Sequence, residues 1–149
     1  MSQLDEAIVF ATRAHEKQVD KGGQPYILHP LSVMLSVFPD EDAMVVAVLH
    51  DVIEDTPFAL EEVTKLLDLD EEQSKALGLL SREPAGTPDR PTYREHIARL
   101  APNNLARTVK MADLRHNMNP VRMAGLAPEE KGLIHRYELA MEDLMRYEE

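Results

Sequence analysis

The sequence predicts an all-α fold, an irregular bundle of about seven or eight helices. Three observations carry this. Apolar residues recur at three- and four-residue spacing along most of the chain, the period of a helix with one buried face. Helix-start signals repeat, at Asp40, at Thr56-Pro57, at Asp70 with Gln73 and at Thr92 with Glu95. No stretch of useful length alternates apolar and polar residues as a half-buried strand does, and there is no internal repeat or low-complexity tract.

Leu4, Ala7, Ile8, Ala11 and Ala14 define a first amphipathic helix, predicted to reach about Val19. The segment DKGGQP (20–25) breaks it, because two glycines and a proline continue a helix only at a cost. His29-Pro30 starts a second, mostly apolar helix. Asp40 caps a third, Glu41 to Glu54, whose run AMVVAVLH (43–50) predicts burial on most sides. Thr56-Pro57 opens a fourth, to about Leu67, and Asp70 with Gln73 opens a fifth. The stretch REPAGTPDRP (82–91) is the one long loop. Thr92 with Glu95 then starts a helix ending at Pro102. Asn103 or Asn104 caps the next, to about Met118, and Pro128 opens the last. No second domain follows the loop, so residues 1–149 read as a single domain.

Composition narrows the chemistry. The chain has no cysteine, which excludes disulfides, zinc–thiolate sites, iron–sulfur clusters and cysteine nucleophiles together. The net charge of −11 repels nucleic acid and anionic membranes, so neither is expected as a partner. An anionic small substrate would need a metal ion or a local cluster of cations. The N-terminus, MSQLDEAIVF, is acidic where a secretory signal is basic. The apolar run Ala43 to Leu49 is far short of the ~20 residues of a membrane span. A cytoplasmic location is the expectation.

Six histidines are present, at 15, 29, 50, 96, 116 and 135. His50-Asp51 stands out, at the end of the most apolar helix. Burying an imidazole beside a carboxylate costs several kcal/mol unless something compensates, and a metal ion would. Glu54 and Asp55 follow. On a continuous helix, positions 50, 51, 54 and 55 share one face. That pattern fits a metal site with a neighbouring carboxylate for acid–base work, and equally a solvated acidic helix end. Two more segments bear on the choice. Tyr26-Ile27-Leu28-His29-Pro30 places a histidine at a loop-to-helix junction. Lys110 to Asn117 places Asp113 and Asn117 four apart on one face, among apolar positions.

The blocks AHEKQ (14–18), KGGQPYILHP (21–30), LHDVIEDT (49–56) and KMADLRHNM (110–118) occur in this order at suitable intervals. Together they resemble the metal-dependent HD superfamily, specifically the hydrolase domain of RelA/SpoT-type proteins and its stand-alone form, the small alarmone hydrolases. The resemblance spans roughly residues 1–140. It implies the HD-domain fold and one divalent ion, usually Mn²⁺, with Fe²⁺, Zn²⁺ or Mg²⁺ as alternatives. By position, His29, His50, Asp51 and Asp113 match the ligands, and Glu54 and Asp55 match the catalytic acidic pair. Asn117 matches the residue on the ribose side of the substrate; Lys21 and Tyr26 match the loop along the guanine nucleotide. The implied reaction is hydrolysis of guanosine 3′,5′-bis(diphosphate), ppGpp or pppGpp, at the 3′-diphosphate, releasing pyrophosphate. In the alarmone hydrolases the residue before Lys21 is typically an arginine that stacks on the base; here it is Asp20. Two other readings stand beside this one: a related HD phosphohydrolase acting on another nucleotide, and a non-catalytic nucleotide-binding module. The partner expected is a small-molecule nucleotide, with a homo-oligomer left open.

Overall fold

A computed structural model describes residues 1–148. Helix α1 (Gln3–Ala14) starts at Ser2, whose hydroxyl accepts from the Asp5 N–H while the Asp5 carboxylate takes the Ser2 N–H. It ends before the predicted Val19. Lys17 takes a positive φ of 70°, and Val19 pairs with Pro25 in an isolated bridge that closes the 20–24 loop. Helix α2 (Leu28–Ser36) carries Pro30 in its first turn, where a backbone N–H has no helical partner to lose.

Helix α3 (Glu41–Leu49) begins at Asp40, whose carboxylate accepts from the Ala43 N–H at 3.1 Å. All seven residues from Ala43 to Leu49 are buried, as a helix apolar on every side demands. The predicted continuation to Glu54 does not hold. The Ala47 carbonyl accepts from the His50 ring Nδ1 at 2.6 Å and from the His50 N–H at 3.3 Å. A side chain thus takes a carbonyl that the next helical turn would use, and the helix stops. A four-residue helix, α4 (Val52–Asp55), follows the break at His50-Asp51. Thr56 closes α4 by donating to the Val52 carbonyl at 2.6 Å, rather than opening the next helix. Helix α5 (Leu60–Leu66) starts instead at Ala59, whose N–H donates to Glu62 at 3.0 Å.

Helices α6 (Glu71–Leu80) and α7 (Tyr93–Leu100) begin at the predicted capping boxes, Asp70 with Gln73 and Thr92 with Glu95. Asn103 caps α8 (Asn104–Asn117). Asn119-Pro120 opens a short α9 (Pro120–Ala124) that hydrophobic spacing did not reveal. Pro128 starts only a 3₁₀ turn, and the last long helix is α10 (Leu133–Met145). The all-α class stands, and the short α4 and α9 bring the α-helices among the described residues to ten.

Helix α3 is the axis of the bundle, packed by α1, α2, α6 and α8, while α10 covers α7 and α8. Each large apolar side chain so buried, such as Leu49, Leu77 or Leu114, contributes about 1.5–3 kcal/mol. The C-terminal end of α3 is therefore held from all sides, with the start of α2 and the middle of α8 beside it. Among the described residues no helix is long and apolar enough to cross a membrane.

Candidate metal centre

Three elements deliver four side chains to one point. His29 comes from the first turn of α2, His50 and Asp51 from the break after α3, and Asp113 from α8. His29, His50 and Asp113 are buried, and Asp51 is partly covered. The Asp113 Oδ1 lies 2.8 Å from His29 Nε2 and 3.4 Å from His50 Nε2. The Asp51 Oδ2 lies 3.0 Å from His50 Nε2 and 3.7 Å from His29 Nε2.

The donor set fits a divalent cation. His50 donates its Nδ1–H to the Ala47 carbonyl, so in the neutral ring the lone pair is on Nε2. That nitrogen is buried and makes no hydrogen bond, although two carboxylate oxygens lie within 3.4 Å of it. A lone pair facing two anions is repulsive unless a positive charge lies between them. Ligand atoms around a small dication stand about 3.0 Å apart in an octahedron and about 3.4 Å apart in a tetrahedron, from bond lengths near 2.1 Å. The observed separations bracket those edges.

The protonation states follow from the same contacts. Burial opposes charge on His50, yet Asp51 and then Asp113 hold its pKa well above the ordinary 6.5. Burial likewise opposes ionisation of Asp113, but the Lys110 ammonium, 2.9 Å from its Oδ2, and His50 keep it well below the carboxylate range. Asp51 is driven down in the same way: burial works against its charge, and His50 wins. The cluster is therefore an anionic cage that takes up positive charge, as a proton or as a metal.

Around the cage, Tyr26 donates its hydroxyl to Asp51 at 2.5 Å and lies 3.3 Å from Asp55. Burial raises the phenol pKa, so it remains a donor. Asp55 is exposed, yet desolvation on its inner side, then Asp51 and Glu54, push its carboxyl up to about 7. Gln18 spans the gap behind it, donating to the Asp55 carbonyl at 3.1 Å with its own oxygen 3.0 Å from His15 Nδ1. Asn117 donates to Asp113 at 3.1 Å and accepts from Arg122 Nε at 3.1 Å. The Arg122 guanidinium also meets Asp20 at 3.2 Å.

His29, His50, Asp51 and Asp113 thus share one cluster, and Tyr26 and Asn117 hold it by hydrogen bonds, with Asp55 beside Tyr26. Glu54 and Lys21 make their contacts elsewhere. The Glu54 carboxylate accepts from the Arg82 backbone N–H at 2.8 Å, and Lys21 pairs with Glu130 at 2.5 Å on the exposed rim. Because the helix breaks, positions 50, 51, 54 and 55 do not form one continuous face. The sequence motifs assigned no role to His116. Its Nδ1 instead lies 2.7 Å from His29 Nδ1, with the two rings within 20° of coplanar. The spacing from Asp113 to His116, one helical turn, was the available signal.

A helical bundle holding a His/His/Asp/Asp cluster at a His-Asp pair is the pattern of an HD domain, and residues 7–71 match the HD domain family model. The chain carries that domain and is homologous to the SpoT/RelA proteins. It is 31% identical over 144 residues to the bifunctional (p)ppGpp synthase/hydrolase SpoT of Escherichia coli K12, covering 91% of this chain and 20% of that protein. It is 31% identical over 134 residues to the guanosine-3′,5′-bis(diphosphate) 3′-pyrophosphohydrolase of Haemophilus influenzae, covering 83% and 19%. A GTP pyrophosphokinase of Myxococcus xanthus is 34% identical over 128 residues, covering 77% and 16%. The chain thus spans about a fifth of the length of the curated relatives it matches. The solved structure of a metazoan ortholog of SpoT that hydrolyzes ppGpp superposes with a TM-score of 0.81 at 22% identity, over 98% of this chain and 86% of that one. That likeness establishes the fold.

Proposed function

We propose that this chain is a metal-dependent phosphohydrolase that removes the 3′-diphosphate of ppGpp or pppGpp, with Mn²⁺ as its ion. The observation that carries the proposal is the unpartnered Nε2 of His50 facing Asp51 and Asp113 in a buried cage. His29, His50, Asp51 and Asp113 would hold the ion. Two nitrogens with two carboxylate oxygens suit Mn²⁺ or Fe²⁺. The chemistry a dication supplies there is neutralisation of a phosphate oxygen and acidification of water.

The chain's own groups supply the rest. Asp55 has a carboxyl poised near neutral pH at the exposed edge of the cage, so it takes the proton of the attacking water. Tyr26 holds Asp51 and lies beside Asp55. Glu54 fixes the backbone at Arg82 and thereby the wall of the site. Asn117 steadies Asp113 and, by its match to the family motif, would lie on the ribose side of the substrate. Lys21 sits on the rim, where an anionic substrate competes with Glu130 for it. In the reaction a bond forms from the water oxygen to the phosphorus attached at O3′, the P–O3′ bond breaks, O3′ takes a proton, and pyrophosphate leaves.

A related phosphohydrolase with another nucleotide substrate is the second reading. It is favoured by one observation: Asp20, where the family has arginine, is engaged by Arg122. The test is a panel of nucleotides with Mn²⁺, scoring pyrophosphate against orthophosphate. Mn²⁺-dependent release of pyrophosphate from ppGpp is expected. Orthophosphate alone from every substrate would rule the proposal out.

A further inference from the structure

Three cations crowd one phenol ring beside the metal centre. The Arg136 guanidinium carbon lies 3.8 Å from the Tyr93 ring centroid, the Lys110 ammonium 5.4 Å and the Arg82 guanidinium carbon 5.6 Å. All three are within the range in which a ring attracts a cation. The chain has 27 acidic and 16 basic residues, so carboxylates are plentiful. Arg94, Arg107, Arg122 and Arg146 each have one within 4.0 Å. Among the described residues the other six have none: Arg13, Arg99 and Arg115 are exposed to water, Arg90 donates to the Glu83 carbonyl, and Arg82 and Arg136 are partly buried. Arg82 makes only a 3.4 Å side-chain contact with the Pro91 carbonyl, and the buried Nε of Arg136 meets no acceptor.

The cluster adjoins the reacting groups. Lys110 spends its charge on Asp113 Oδ2, and the other oxygen of that carboxylate is the one beside His29. The Arg82 backbone N–H holds Glu54. Nearby His96 reports the local field: burial, and then Lys110 and Arg82, press its pKa down to about 4. Arg82 and Arg136, two like charges without a carboxylate partner at the edge of a site for phosphate, lack only an anion. Guanidinium forks match phosphate oxygens two at a time, and a ring beneath one of them restricts its motion.

We infer that Arg82 and Arg136, seated around Tyr93, form a second anion subsite that takes the phosphate groups of the substrate remote from the bond broken. This rests on the reading of the chain as a hydrolase of a doubly phosphorylated nucleotide, and it names how the second phosphate group is held.

Two measurements on the full chain test it. First, inorganic pyrophosphate is titrated calorimetrically into metal-stripped protein at low ionic strength. Arg136→Gln and Arg82→Gln are each expected to weaken binding roughly ten-fold, the effect of losing a charged hydrogen bond. Arg94→Gln, the same charge change on a side chain that is 80% exposed and paired with Asp143, is expected to leave binding as it was. No binding by the unmodified chain, or equal binding by all three variants, overturns the subsite. Thermal melts verify folding, and Arg82, on a loop, provides the variant least coupled to the core. Second, with Mn²⁺ present, both variants should raise KM for ppGpp about ten-fold at unchanged kcat. They should leave KM unchanged for guanosine 3′-diphosphate, which lacks the remote phosphates. Equal effects on both substrates overturn the assignment to those phosphates. Arginine-dependent pyrophosphate binding without any hydrolysis would instead retire the hydrolase reading and leave the anion site standing.

Discussion

The Nδ1 atoms of His29 and His116 face each other at 2.7 Å with their rings nearly coplanar. Only one of the two can carry the proton. If His29 gives its Nε2 lone pair to a metal, its Nδ1 must be the donor and His116 the acceptor. Burial and then His29 lower the His116 pKa to about 4, which keeps that acceptor neutral at physiological pH. His116→Ala is therefore expected to weaken Mn²⁺ binding about 10–100-fold. His116→Asn, whose side-chain oxygen can stand where Nδ1 stood, should retain most of the affinity. Calorimetric Mn²⁺ titrations decide this, and equal affinities in the two variants would contradict it.

Asp113→Asn leaves the Lys110 ammonium, only 12% exposed, without its carboxylate. Breaking a buried pair on one side costs about 3–5 kcal/mol. The metal-free variant should show a loss of that order in urea unfolding, and the purified variant should carry no bound metal. Unchanged metal content would remove Asp113 from the ligand set.

Metal uptake should release protons. With no cation bound, Asp51 and Asp113 keep His50 protonated against the cost of burial. That proton stabilises the fold fully below pH 6.5 and its contribution is lost as pH rises through the raised value. The depressed Asp113 works in the opposite window: its contribution is present above pH 3.8 and lost as pH falls below. Metal-free protein should therefore lose stability on both flanks. Saturating Mn²⁺ should flatten the alkaline flank, because the ion replaces the His50 proton. Melting temperatures across pH, with and without Mn²⁺, test the pattern, and an alkaline flank insensitive to Mn²⁺ would refute it.

The acidic pair should separate kinetically. Asp55, with its carboxyl pushed up to about 7, is active as the anion, so kcat/KM should rise with pH to a midpoint at or below that value. Asp55→Asn should lower kcat about 10²–10⁴-fold. Glu54→Gln should act mainly on KM, since Glu54 holds the backbone of Arg82. A larger kcat loss in the Glu54 variant would exchange the two roles.

What the sequence disclosed was local. The capping pairs Asp70/Gln73 and Thr92/Glu95 span one turn, so residue type and spacing suffice to find them. The break at His50 did not show, because a ring-to-carbonyl bond ended a helix that apolar spacing alone would continue. Of the candidate site, the ligand types could be read along the chain, but their meeting could not: His29 and Asp113 are 84 positions apart. The Asp20–Arg122 pair joins segments 102 positions apart. The cations around Tyr93 come from a loop, α8 and α10. No local pattern encodes such encounters, since packing of distant helices creates them.

Helix α3 works as a ruler. Its zero mark is the Asp40 cap, its far end is His50, and its buried flanks forbid slippage. Each residue of a helix advances 1.5 Å and turns about 100°. Inserting or deleting a single residue between those marks would swing the imidazole a quarter-turn away from Asp113, with every polar side chain still present in the sequence. The length of that rod, as much as the identity of the groups at its tip, is a condition for the cage to close.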